Sequence, residues 1–252
     1  MKILSIGNSF SVDAQAWLHE IAENQGAEVT LGNLYIGGCS LELHAQNIRE
    51  DKKAYEYFKT GREARTASVG EALREENWDA VTLQQASHFS GQWETYEPWL
   101  EEVSEYVRKL CPGAKIYIHE TWAYEADSDH PAFPQYLCNQ SRMYEDLHKA
   151  YRKAAKAIGA DIIPCGTAMQ IARGMLDFDY ANHGLSLNRD GFHASLTYGR
   201  YLLGLVWAEI LLGQNAMENT FAPCAEGEPP CQEKLLMDLR RAAHLAAEET
   251  RV

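Results

Sequence analysis

The sequence predicts an α/β protein whose core is a parallel sheet of about five strands covered by helices on both faces. Two observations carry that prediction. Short apolar stretches alternate with segments of helical periodicity from end to end, and no repeat or low-complexity linker interrupts them. In addition, Gly7, Gly37-Gly38 and Gln84-Gln85 each follow such a stretch and mark where a strand gives way to a turn.

Lys2 to Ile6 reads as a short buried strand, broken by Gly7 and followed at once by helical spacing. Residues 12–24 form the first helix, with Trp17 and Ile21 inward and Gly26 as its stop. A second strand over 28–36 ends on Gly37, Gly38, Cys39 and Ser40; a charged helical stretch then runs to Lys59, and 67–76 reads as a further helix. Asp79 to Gln84 is the third strand and opens into a polar loop, Gln85 to Gly91. Leu100, Val103, Val107 and Leu110 recur at helical spacing within 95–110, and Pro112-Gly113 turns the chain into a fourth strand, Lys115 to His119.

The stretch 120–138 is a long loop rich in Trp, His, Asp and Pro, and loops of that length inside a compact domain usually carry function. In the helix over 141–158, Met143, Leu147, Ala150, Tyr151, Ala154 and Ile158 share one face, and Gly159 ends it. Ile162-Ile163 is a short fifth strand, followed by a helix over 167–177, a loop over 178–193 and an apolar helix over 194–213. One domain over 1–213 is expected, with 214–252 a helical extension packed on it through Leu235, Leu236, Leu239, Ala243 and Ala246.

At 252 residues, with 46% hydrophobic and 23% charged residues, the chain can bury a substantial core. Its 23 Lys+Arg against 36 Asp+Glu leave a formal charge of -13. Such a surface repels phosphate backbones and anionic lipid, so neither nucleic acid nor membrane is an expected partner. The most apolar segment, Tyr201 to Leu212, is too short to span a bilayer and carries Glu209. Lys2 leads straight into the first strand without an apolar run or a small-residue cleavage site, so the expected location is the cytoplasm. The six cysteines include no Cys-x-x-Cys pair and are expected to be reduced; Cys224 and Cys231, flanking a Gly/Pro-rich loop, would bridge only in an oxidising compartment.

In α/β sheets of this kind the site lies at the carboxyl ends of the strands. Ser9, Gly38, Gln85 and the 120–138 loop all follow strands. Ser9 stands where strand turns into helix, a place where a hydroxyl can be exposed and where helix-start amides favour developing negative charge. A serine that merely caps the helix occupies the same kind of position. Asp190-Gly-Phe-His193 is the second anchor. A carboxylate three residues before a histidine can accept a hydrogen bond from Nδ1, which leaves Nε2 as the base, although the same spacing also occurs in plain surface turns. Taken with Ser9 it supplies nucleophile, base and orienter.

Acyl transfer further needs donors for an oxyanion. The amide of Ser9 and the amide of Gly38 qualify, together with a side-chain amide from Gln84 or Gln85. Gln85 stands ahead because it is the first residue expected to leave the strand. His119, Trp122 and Gln84 are expected to line the substrate pocket. His119, Glu120 and His130 match no zinc spacing, so no metal is expected. No cofactor is expected either: Gly7-Asn8-Ser9 lacks the second and third glycines of a dinucleotide fingerprint.

The order of these blocks resembles the SGNH (GDSL-like) hydrolase superfamily over nearly the whole chain up to residue 213. Gly7-Asn8-Ser9-Phe10-Ser11 is similar to the family's serine block, Gly38 to its glycine block, and Asp190-Gly-Phe-His193 to its last block. The resemblance implies a three-layer, flavodoxin-like sheet and ester hydrolysis by a triad of Ser9, His193 and Asp190. Two departures stand out. Asn8 occupies a position where the family often has aspartate, and the third strand runs into Gln84-Gln85 where the family usually offers an asparagine after a glycine. Glutamine-containing versions resemble carbohydrate and sialate O-acetylesterases, so a small-molecule ester, an acetylated sugar foremost, is the expected substrate. Within the superfamily, Ile6 to Ser11 and Leu83 to Ser87 are most similar to a little-characterised branch of unknown function. The competing expectations are a ligand- or carbohydrate-binding protein without turnover, and a lipase or thioesterase.

Overall fold

A computed structural model describes residues 1–251. Val252, the last residue of the expected C-terminal extension, lies outside the described residues. Seven strands are present among them: β1 (Lys2–Gly7), β2 (Thr30–Tyr35), β3 (Tyr55–Lys59), β4 (Arg62–Ala67), β5 (Ala80–Leu83), β6 (Lys115–His119) and β7 (Asp161–Ile163). They form one sheet in the order β4-β3-β2-β1-β5-β6-β7. The helices are α1 (Ser9–Gln15), α2 (Leu18–Asn24), α3 (Leu41–Arg49), α4 (Val69–Glu75), α5 (Trp99–Leu110), α6 (Gln140–Ile158), α7 (Cys165–Arg173), α8 (Tyr198–Leu212) and α9 (Glu233–Arg251).

The expected α/β class holds. β2, β1, β5 and β6 pair in parallel with one another in that order. Ile3, Leu4 and Ile6 are wholly or almost wholly buried, as a strand covered on both faces requires. Two further strands extend the sheet, β3 at the end of a stretch expected to be helical and β4 just after it. α3 stops at Arg49, and Tyr55 to Lys59 alternates buried and exposed residues as β3, antiparallel to β2. β4 pairs antiparallel with β3 at the sheet edge, and its first five residues are exposed, so it carries no apolar alternation to read. Arg62 and Arg65 of this edge bond Glu75, and Lys59 lies 2.5 Å from Glu76. Charges along an edge strand discourage pairing with another chain.

The helix expected over 12–24 is two helices, because Trp17 breaks out of it. The backbone turns there, and the indole N–H donates to the Leu196 carbonyl at 2.9 Å. The helical faces predicted for α5 and α6 are buried at Leu100, Val103, Val107, Met143, Leu147, Ala150, Tyr151, Ala154 and Ile158. Leu110 is half-exposed.

The chain divides into two compact units that interleave along the sequence: Met1–Val12, Val29–His119 and Lys149–Ile162 in the first, and Asp13–Glu28, Glu120–His148 and Ile163–Val252 in the second. In the first, α3 packs on α4 and α5. In the second, α8 packs on α2, α7 and α9. Gly204 lets α2 approach α8, since a Cβ there would come within 2.6 Å of the Ile21 Cδ1. Glu209 is a carboxylate inside the apolar α8. It is satisfied by His244 Nδ1 of α9 at 2.7 Å and by the Ala216 amide at 3.1 Å, as a buried charge must be. The cysteines are free thiols, Cys224 and Cys231 included. No helix among the described residues is long and apolar enough to cross a membrane.

Candidate active site

In the first unit, β2, β1 and β5 are parallel neighbours, so the turns after them emerge at one edge of the sheet. Those turns hold Gly38, Ser9 and Gln85. Asn8 knits them together. Its Nδ2 donates to the Cys39 carbonyl at 3.1 Å, and its Oδ1 accepts from Gln84 Nε2 at 2.8 Å and from the Phe10 amide at 3.0 Å. Its own carbonyl receives the amides of Ser11 and Val12. Asn8 is therefore the residue that caps α1. Ser9 is the first residue of that helix and half-buried. The bland reading of Ser9, a helix cap, describes its neighbour instead.

Gly38 has φ +61, and nothing lies within 4 Å of where a Cβ would stand, so the glycine answers to backbone conformation and not to space. Beside it, the buried Cys39 Sγ lies 3.4 Å from His44 Nδ1, which is itself 2.8 Å from the Tyr55 hydroxyl. Burial pushes the Cys39 thiol up to about 12 and His44 down to about 3. A protonated thiol beside a neutral imidazole is an anchor for the Gly38 turn, not a nucleophile.

Gln84 and His119 continue the same network inward. His119 Nδ1 lies 2.8 Å from Gln84 Oε1. Burial lowers His119 to about 3, and a carbonyl oxygen only accepts, so a neutral ring donates Nδ1–H to it. The bonds thus run from His119 through Gln84 and Asn8 to Cys39. Gln85 is expected to aim its amide at an oxyanion, and the structure commits that amide elsewhere. Its Nε2 donates to the Thr95 carbonyl at 2.9 Å and the Thr95 hydroxyl at 3.1 Å, while Oε1 accepts from the amides of Leu41 at 3.0 Å and Ala86 at 2.8 Å. Gln85 has 0% exposure, and Gln84, His119 and Trp122 have 2% or less. Each is therefore a buried residue of its own unit, and none of the four presents a side chain to solvent.

In the second unit, Asp190 and His193 form a pair. Asp190 Oδ2 is 2.7 Å from His193 Nδ1, and Oδ1 accepts the His193 amide at 2.8 Å and the Phe192 amide at 3.3 Å. Burial pushes the Asp190 carboxyl up, but the bonds from the His193 ring and backbone outweigh it and hold the group below its ordinary value. With Nδ1–H given to the carboxylate, the ring's lone pair stands on Nε2.

The backbone around this pair is gripped residue by residue. The Gly191 carbonyl takes the Glu125 amide at 2.7 Å, and the Phe192 carbonyl takes the Trp122 indole N–H at 2.8 Å. The His193 carbonyl takes the Arg189 amide at 2.9 Å and Asn188 Nδ2 at 3.2 Å. Asn188 is in turn held by Arg173 Nη2 at 2.6 Å. So the 120–138 loop supplies supports for the His193 turn. His130, in the same loop, packs its ring 4.8 Å from Phe192 and 4.5 Å from Tyr124. Burial, and then the charge of His193, hold His130 below its ordinary value, against the pull of Asp129 and Asp190. Sequence reasoning missed Asn8 as the hub of the first cluster and His130 as a neighbour of His193. Both stood in segments it had marked, but only pairing partners distant in sequence reveal their roles.

Residues 2–230 match a family model described as a domain of unknown function, DUF4886. A DUF4886 family protein from Bacteroides uniformis is 40% identical, the match covering 98% of this chain and 94% of that one with a TM-score of 0.88. A protein assigned to the SGNH hydrolases, from Slackia heliotrinireducens, is 25% identical over 83% of this chain and 97% of that one, with a TM-score of 0.58. An acetylxylan esterase from Geobacillus stearothermophilus shares the fold at 12% identity, over 82% of this chain and 92% of its own, with a TM-score of 0.52. No curated protein matches the chain. With a family match from residue 2 to residue 230 and a full-length relative at 40% identity, the chain belongs to the DUF4886 family, on an α/β fold shared with SGNH and GDSL-like hydrolases.

Proposed function

We propose that this chain is a serine esterase that cleaves small acyl esters, with acetylated sugars as its substrate class. The observation that carries the reading is the Asp190–His193 pair, whose 2.7 Å bond orients the imidazole as a base. The fold shared with SGNH hydrolases supplies the reaction kind, and Asn8, not Ser9, is the residue that caps α1. In the proposed reaction His193 Nε2 takes the Ser9 proton as Oγ attacks the ester carbonyl. The amides of Ser9 and Gly38 receive the oxyanion. Asp190 steadies the imidazolium, which returns the proton to the leaving alcohol. Water, activated by the same base, then releases the acyl group from Ser9. The acetyl preference follows the resemblance of the Gln84-Gln85 block to O-acetylesterases.

A fluorophosphonate probe tests this directly: the intact protein should be labelled, with the adduct mapped to the peptide containing Ser9, and Ser9→Ala should abolish it. A folded wild-type protein that never reacts there overturns the reading. Hydrolysis of acetylated sugars against longer acyl esters tests the substrate class; equal rates on long chains would remove the acetyl preference.

A further inference from the structure

Asp13 lies on α1 one helical turn after Ser9, and it is a buried carboxylate with 1% of its side chain exposed. Both its oxygens are fully engaged with the segment that contains His193. Arg189 Nη1 donates to Oδ1 at 3.0 Å and to Oδ2 at 2.9 Å. The Ala194 amide donates to Oδ2 at 3.1 Å. Arg200, from α8, donates through Nε at 2.8 Å and approaches Oδ1 with Nη2 at 2.8 Å. Arg189 also reaches the Ala194 carbonyl. The residues immediately before Asp190 and immediately after His193 are thus pinned to one buried anion.

A carboxylate between two guanidiniums is costly to bury unless its geometry serves a purpose, because desolvation offsets most of the Coulombic gain. Here every acceptor position is filled, and the bonds bracket a four-residue turn whose internal hydrogen bond sets the imidazole. We propose that Asp13 is a positioning residue for the Asp190–His193 pair. It holds the two ends of that turn so that Asp190 meets Nδ1 in one geometry. The role it gives His193 rests on the esterase reading; the clamp itself does not.

The test is Asp13→Asn, which keeps shape and one acceptor but removes the charge. In ¹⁵N-labelled protein the His193 Nδ1–H, identified as the low-field imidazole signal that Asp190→Asn removes, should be lost or broadened in Asp13→Asn while far-UV circular dichroism is unchanged. Fluorophosphonate labelling at Ser9 and kcat on 4-nitrophenyl acetate should fall by about 10- to 100-fold, with KM little changed, as for a misplaced base. An Asp13→Asn protein with the wild-type signal and labelling rate overturns the proposal. If wild type never labels while Asp13→Asn still loses the signal, the esterase reading fails and the clamp stands. Should Asp13→Asn not fold, Arg189→Ala, at an exposed position, removes the Nη1 donor that bonds both Asp13 oxygens; an unaltered signal there overturns the clamp as well.

Discussion

Asp190 holds His193 twice, by a 2.7 Å bond from the ring Nδ1–H and a 2.8 Å bond from the same residue's backbone amide. The two bonds fix both the ring and its point of attachment, so the imidazole has little freedom left. Asp190→Asn removes the acceptor for a charged ring and permits the wrong tautomer. It should lower kcat by roughly 10²- to 10⁴-fold. With 43% of its side chain exposed, Asp190 is replaced at little cost to folding, so thermal unfolding should be nearly unchanged. Steady-state kinetics alongside a melting curve would check both parts.

Gln85 gives the opposite expectation. Its four hydrogen bonds join the start of α3, the turn after β5 and Thr95. Gln85→Ala leaves buried donors and acceptors unpaired and should destabilise by about 2–4 kcal/mol. The folded fraction should keep kcat within about threefold, far from the 10²-fold or greater loss of a missing oxyanion donor. Urea unfolding and active-site-normalised rates separate the two roles; a large kcat loss at unchanged stability would return Gln85 to the oxyanion hole.

Acid should unfold this protein through two histidines. Burial lowers His44 and His119 from the ordinary 6.5 to about 3. In the unfolded chain both take a proton near 6.5, whereas the folded protein does not until near 3. The unfolded state therefore binds more protons across that interval, and stability declines as pH falls through it. Each histidine contributes a slope of ~1.4 kcal/mol per pH unit. Urea midpoints between about pH 7 and about pH 4.5 should reveal it. A His119→Asn variant should start less stable yet lose stability more gradually.

Trp122 is the support that links the long loop to the His193 turn. Trp122→Phe retains most of the ring and deletes only the N–H that reaches the Phe192 carbonyl. It should cost about 1–2 kcal/mol. Hydrogen exchange should quicken over residues 190–194 while the sheet is unaffected; equal protection in both proteins would show that the bond does not hold the turn.

Much of this was legible because it is local. The strand-turn-helix around Ser9 is written in an apolar run, a glycine and a helical spacing, and the Asp190–His193 bond spans three residues. The α5 and α6 faces follow from periodicity alone. β3 and β4 were hidden, since Tyr55 to Lys59 sits in a charged stretch and β4 shows an exposed edge with no alternation. The strand character of β3 comes from its pairing with β2, and that of β4 from its pairing with β3, not from composition.

By itself, then, the sequence determined the α/β class, the order of its main elements, the turn that starts at Ser9 and the pairing of a carboxylate with His193, all interactions within a few residues or a repeating pattern. Only the tertiary structure decided which polar groups are already committed. Gln85 meets Leu41 across 44 positions, His119 meets Gln84 across 35, and Asp13 meets Ala194 across 181. A side chain's donors and acceptors can be assigned only when its neighbours in space are known. For that reason only the structure shows the Gln85 side chain committed to Thr95, Leu41 and Ala86, and the Asp13 carboxylate to Arg189, Ala194 and Arg200.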